Sequence, residues 1–169
     1  RISMPIHVRN ENEAGIAVAR IILDSAPLNI LDCDQCDELL EAILSIRDDD
    51  VARIVVIQGD GGEFCSGTDI AEHTPEKMPQ LLPKFHSCLD AMLTLDAITI
   101  AAVEGHCLGG GLELALSCDR ILVDENAKLG LPEIKLGCFP PAGWIQMLAR
   151  SSSGSAVRMV CSGEISEAR

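Results

Sequence analysis

An α/β fold follows from three features of the chain. Short segments rich in Ile, Val and Ala alternate with stretches of helical periodicity, the pattern of strands packed with helices. Turn residues, glycine above all, punctuate the junctions. The length of 169 residues, 47% apolar and 23% charged, suits one soluble globular domain with a real core.

The elements follow in order. Gly15 to Leu23 is apolar, bounded by turn residues, and reads as a strand. Asp24 to Asn29 is a loop. Cys36, Leu39, Leu40, Ile43 and Leu44 then keep helical spacing, with Asp32 or Asp34 available as N-cap. Arg53 to Gln58 is a short apolar strand entering a glycine-rich loop, Gly59 to Gly67. Leu81, Leu82, Phe85, Leu89, Met92 and Leu93 predict an amphipathic helix over Pro79 to Leu95, with Pro79 and Pro83 limiting its start. Ala97 to Val103 is a buried strand, Gly110 to Ser117 a helix, and Arg120 to Val123 another strand. A serine-rich stretch, Ser151 to Ser155, leads into a helix over Ala156 to Cys161.

A formal net charge of −13 argues against nucleic acid or an anionic membrane as partner. No run of about 18 apolar residues predicts a membrane span, and Arg1 to Arg9 does not read as a signal peptide. Of the eight cysteines, Cys88, Cys107, Cys118 and Cys161 lie in apolar runs. They read as reduced thiols of a cytoplasmic protein. Cys33 and Cys36 form a C-x-x-C, but no second pair stands at zinc spacing, so no metal site is expected.

Two glutamates carry the chemistry. Glu113 sits in Gly109-Gly110-Gly111-Leu112-Glu113-Leu114-Ala115-Leu116, and Glu133 in Gly130-Leu131-Pro132-Glu133-Ile134. A carboxylate among apolar neighbours raises its pKa, which suits a general acid or base near neutral pH. The competing reading of Glu113 is a solvated helix charge, yet Leu112, Leu114, Ala115 and Leu116 leave little polar face. For Glu133 it is a loop charge or an acid at a helix start. The three glycines can aim bare N–H groups from a helix start at an oxyanion. His73 and His106 are further titratable candidates, although a lone histidine is usually structural. Trp144 reads as a packing residue.

The stretch Ile98 to Asp119, containing Glu104-Gly105-His106-Cys107-Leu108-Gly109-Gly110-Gly111-Leu112-Glu113, resembles the enoyl-CoA hydratase/isomerase (crotonase) family. Gly62-Glu63-Phe64-Cys65-Ser66-Gly67-Thr68-Asp69-Ile70 and Leu129-Gly130-Leu131-Pro132-Glu133-Ile134-Lys135-Leu136-Gly137 are similar to its CoA-binding and second-glutamate segments. The resemblance runs from about Ile16 to the last residue. It implies a crotonase (ClpP-like) spiral of β-β-α units, with residues 1–169 as a core domain lacking the family's C-terminal helical region. By resemblance, Thr68 and Gly110 supply an oxyanion hole. Ser66, Thr68, Asp69, Ile70, Gly109 and Gly110 bind CoA and substrate, while Glu113 handles the water and Glu133 the proton. No metal or redox cofactor is implied, CoA being part of the acyl-CoA thioester substrate, and the family assembles as homotrimers or hexamers.

Asp69-Ile70-Ala71-Glu72-His73-Thr74-Pro75, Pro27-Leu28-Asn29-Ile30-Leu31 and Phe139-Pro140-Pro141 resemble cyclic dienoyl-CoA hydratases of anaerobic aromatic degradation. Those acting on cyclohexa-1,5-diene-1-carbonyl-CoA are the nearest in pattern. A straight-chain enoyl-CoA hydratase or isomerase is the alternative within the class. A non-catalytic acyl-CoA-binding module is the alternative outside it.

Overall fold

The computed structural model describes residues 6–150 and 153–168. The first five residues, the serines at 151 and 152, and Arg169 lie outside them. So do the corresponding parts of the expectations for Arg1–Arg9 and Ser151–Ser155.

The N-terminal half alternates strand and helix: β1 (Ile6–Glu13), β2 (Ile16–Leu23), α1 (Cys33–Asp49), β3 (Ile54–Gly59) and α2 (Met78–Leu93). The second half runs β4 (Ile98–Val103), β5 (His106–Leu108), α3 (Gly110–Leu116), β6 (Arg120–Val123), β7 (Lys128–Gly130), α4 (Pro141–Arg150), α5 (Ser153–Ser162) and β8 (Ile165–Glu167). Five strands form one sheet in the order β1-β2-β3-β4-β6, parallel except for the β1–β2 hairpin. A second sheet, β5-β7-β8, stands apart from it. Parallel bridges Leu31↔Thr68 and Cys65↔Cys107 continue the same pairing among the loops. Each turn of chain therefore contributes one strand to the large sheet, one short extended segment beside it, and one helix. That is a spiral of β-β-α units.

Local chemistry explains the elements. Asp32 caps α1, its carboxylate accepting from Gln35 N–H at 2.8 Å while Gln35 Oε1 accepts from Asp32 N–H at 3.0 Å. Cys36, Leu39, Ile43 and Ile46 turn inward from α1 against Leu81, Phe85, Cys88, Leu89 and Met92 of α2. Helix α2 begins at Met78 and continues through Pro83, whereas the sequence placed Pro83 as a limit on its start. Pro83 lies in the second turn, so its missing N–H removes the one ladder bond it would have made to Pro79 O, and the helix continues past it. Both ends of the β4–α3 excursion are clipped together. Asp119 Oδ2 accepts from Thr99 N–H (2.8 Å) and Thr99 O–H (2.9 Å), and Asp119 N–H donates back to Thr99 Oγ1 (2.8 Å). All eight cysteines are free thiols, and five of them are buried. No helix of the described residues is long and apolar enough to cross a membrane.

Candidate active site

The loop after β3 is held from three sides. Buried Asn29 donates from Nδ2 to the carbonyls of Asp60 (3.1 Å) and Glu63 (2.6 Å), and Ser66 N–H donates to Leu28 O at 3.0 Å. Leu31 N–H donates to Gly67 O, and Asp69 N–H to Leu31 O, at 3.0 and 2.9 Å. Because Leu31 takes the groups flanking Thr68, the N–H of Thr68 itself faces the other way. It donates to no protein group among the described residues.

The second loop abuts the first. Cys65 N–H donates to His106 O and Leu108 N–H to Cys65 O, at 2.9 and 3.0 Å. Each glycine of the triplet has its own reason. Gly109 adopts φ 53° and ψ −127°, which a side chain would resist. A Cβ at Gly111 would lie 2.1 Å from the Cys65 carbonyl oxygen, so the two loops touch through bare backbone. A Cβ at Gly110 would meet Phe85 Cζ at 3.0 Å and Thr68 Cγ2 at 3.3 Å, closing the space above the Gly110 N–H. That N–H, first of helix α3, also lacks a protein partner among the described residues. Two unpaired amide donors thus open on one cleft.

Two carboxyl groups line the same cleft. Glu113 is 6% exposed and accepts a hydrogen bond from Gly143 N–H at 2.6 Å. Burial raises its pKa; the amides of Gly143 and Ala142 and the nearby His86 work against that rise. Its charge thereby rests on the first turn of α4, where orphan N–H groups favour an anion. Glu133 lies on a 3₁₀ helix, Pro132–Leu136, and one oxygen, Oε1, lies 3.1 Å from where a Gly109 Cβ would sit. Its other oxygen, Oε2, is buried with no hydrogen-bond partner. Burial, with the Glu113 charge adding to it, pushes the Glu133 carboxyl up to about 7.

The cleft holds about 110 Å³ of space. One wall is apolar, made by Met78, Leu81, Leu82 and Phe85 of α2, with Leu136 and Phe139 facing them. A dry wall beside two amide donors and two carboxyl groups strengthens every polar interaction made there.

The enoyl-CoA hydratase/isomerase family model matches residues 11–168. The chain belongs to the enoyl-CoA hydratase/isomerase family. Among relatives, the fatty acid oxidation complex subunit alpha of Shewanella loihica is 37% identical over 148 residues, which is 83% of this chain and 21% of that one. Cyclohexa-1,5-dienecarbonyl-CoA hydratase of Thauera aromatica is 30% identical over 161 residues, 95% of this chain and 62% of that one. The solved structure of Pseudomonas aeruginosa DspI superposes with a TM-score of 0.89 at 28% identity, covering 98% of this chain and 68% of that one. The chain spans less than two thirds of the length of these curated relatives.

Within this crotonase fold, Ser66, Thr68, Ile70, Gly109, Gly110, Glu113 and Glu133 all reach the cleft wall. Asp69 does not: its carboxylate accepts from Ala71 N–H at 2.9 Å and caps a 3₁₀ turn, Ile70–Glu72. His106 is also outside the cleft, its Nδ1 2.9 Å from Glu63 Oε2, which accepts from His106 N–H as well. Burial opposes it, but these His106 contacts hold the Glu63 carboxyl below its usual range. Trp144 packs beside the core near Phe139, their ring centroids 6.2 Å apart. Sequence reading missed the apolar wall of α2 and the Gly143 amide. The α2 stripe looks like any core-facing helix, and a donor thirty residues from Glu113 leaves no local signal.

Proposed function

We propose that this chain forms the catalytic core of a hydratase that adds water to an α,β-unsaturated acyl-CoA. The observation that carries the reading is the convergence of Glu113 and Glu133, from separate elements, on a cleft with two unpaired N–H donors. The thioester carbonyl oxygen accepts from Thr68 and Gly110 N–H, so negative charge arriving there as the enolate forms is stabilised in a dry site. The dipole of α3 adds to that stabilisation. Glu113, oriented by its hydrogen bond from Gly143 N–H, draws a proton from the water that attacks the β-carbon. Glu133, whose Oε2 lacks a partner and which holds its proton up to about pH 7, delivers it to the α-carbon. Ser66, Asp69, Ile70 and Gly109 shape the CoA path, Asp69 through its backbone.

The substrate we favour is a cyclic dienoyl-CoA, cyclohexa-1,5-diene-1-carbonyl-CoA. Support comes from the Thauera relative, matched over 95% of this chain, and from the segments around Pro27, His73 and Phe139. The relation to a fatty acid oxidation complex subunit supports the straight-chain alternative. A homotrimeric or hexameric assembly in the cytoplasm completes the proposal; exposed Leu122, Phe139 and Ile145 are suited to subunit contacts. The test is hydration by the full-length protein of crotonyl-CoA and of the cyclic dienoyl-CoA, beside calorimetry with a saturated acyl-CoA. Faster hydration of the cyclic ester supports the assignment, and faster hydration of crotonyl-CoA replaces it with the straight-chain one. Binding without turnover overturns the enzyme reading in favour of a binding module.

A further inference from the structure

Thr68 brings a complication to the cleft. Its N–H is one of two donors, and its side chain packs against Gly110, which carries the other. Thr68 Cγ2 packs 3.3 Å from where a Gly110 Cβ would sit, while Oγ1 points the opposite way, to His73 Nε2 at 3.4 Å. Exchanging the two branches of this side chain would set the hydroxyl against Gly110. There Oγ1 would accept the Gly110 N–H and take a donor that the thioester oxygen needs. Threonine is β-branched, so a single rotamer can be held firmly if one branch is anchored.

His73 is built to be that anchor. Its Nδ1 lies 2.8 Å from the Asp69 carbonyl oxygen. A carbonyl only accepts, so the ring proton of neutral His73 is on Nδ1 and Nε2 is left as an acceptor. The Thr68 O–H therefore donates to Nε2. The ring stands on a fixed base: His73 N–H donates to Ile70 O at 3.0 Å, Asp69 caps the same turn, and Glu72 Oε2 accepts from Cys33 N–H at 2.9 Å. Both His73 and Thr68 line the cleft.

We propose that His73 is a positioning residue. As the Nδ1–H tautomer it holds Thr68 with its hydroxyl out and its methyl toward Gly110, keeping both oxyanion donors open. The proposal rests on the hydratase reading for its kinetic consequence, but not for its tautomer.

The experiment is a double-mutant cycle in the full-length protein: His73→Ala, Thr68→Ala and the double variant, assayed for kcat and KM on whichever enoyl-CoA the wild type hydrates. Losing one oxyanion donor costs about 10²–10³ in rate, so partial capture of Gly110 N–H in His73→Ala is expected to lower kcat roughly tenfold with KM little changed. In the Thr68→Ala background, where no hydroxyl remains to restrain, the same substitution is expected to change kcat less than about twofold. His73→Gln, which can offer an amide oxygen to Thr68, should recover part of the loss. Equal losses in both backgrounds, or no loss in either, overturn the proposal. Long-range proton–nitrogen NMR of the His73 ring gives a readout independent of turnover. A protonated Nδ1 with a bare Nε2 supports the assignment, and the Nε2–H tautomer overturns it even if the protein hydrates nothing.

Discussion

Replacing Glu133 by glutamine is expected to stabilise the fold while destroying its activity. Glu133 Oε2 is buried without a partner, so ionising this side chain inside the fold strands a charge. Raising a carboxyl from its ordinary 4.5 to about 7 corresponds to about 3 kcal/mol at the free energy of one pH unit. The side chain is only partly buried, and solvent screening reduces this to about 1–2 kcal/mol. A carboxyl with a raised folded-state pKa costs nothing below its unfolded value, where it is protonated in both states. The cost grows as pH rises from there and is complete above about 7. Glu133→Gln removes it. At pH 8 the variant should melt roughly 2–8 °C above wild type, and at pH 4 the two should melt together. Thermal unfolding of the full-length proteins across that range is the assay. A variant less stable than wild type at pH 8, or a gain that persists unchanged at pH 4, would rule out a costly buried charge at Glu133.

Glu113→Gln and Glu133→Gln should each reduce hydration about 10²–10⁴-fold while calorimetry still detects acyl-CoA binding; near-normal turnover by either marks that glutamate as structural. The wild-type hydration rate should fall as pH rises through about 7, where Glu133 gives up its proton, and the residual rate of Glu133→Gln should lack that limb. Asp119 is held below its usual range by the Thr99 amide and hydroxyl, so it stabilises the fold above its unfolded pKa and ceases to as pH falls through the lower folded value. Asp119→Asn should therefore cost about 1 kcal/mol at pH 7, a deficit that denaturant titration should find closing in acid.

Much of this site was legible because its parts have local signatures. Three glycines before an apolar helix containing one acid identify Gly110 and Glu113 without any structure; the positive φ of Gly109, the tight fit at Gly110 and the 2.1 Å approach of a Gly111 Cβ to the Cys65 carbonyl oxygen each favour glycine. Asp32 was readable as a cap because capping is decided within four residues. What could not be read depends on distance in sequence. Nothing near Glu113 announces that Gly143 N–H will meet it. Strands β5, β7 and β8 are three residues each, too short for alternation to show, and exist because neighbours pair with them. Strand β1 escaped notice because its side chains are mostly polar and exposed; its partner β2 supplies the buried face. Asp69 was grouped with the CoA-binding residues by resemblance, largely through its backbone, and its side chain caps the following turn on the Ala71 amide.

Hydration adds one oxygen and one hydrogen across a double bond, and solvent labels read that directly. The full-length protein is incubated with crotonyl-CoA or the cyclic dienoyl-CoA in deuterated, oxygen-18-enriched water, and the product is analysed by mass spectrometry. Hydration by the two glutamates places one labelled oxygen on the β-carbon and one deuteron on the α-carbon, with both lost in the Glu113→Gln and Glu133→Gln variants. A shifted double bond without oxygen label, or recovery of unlabelled substrate, would contradict it.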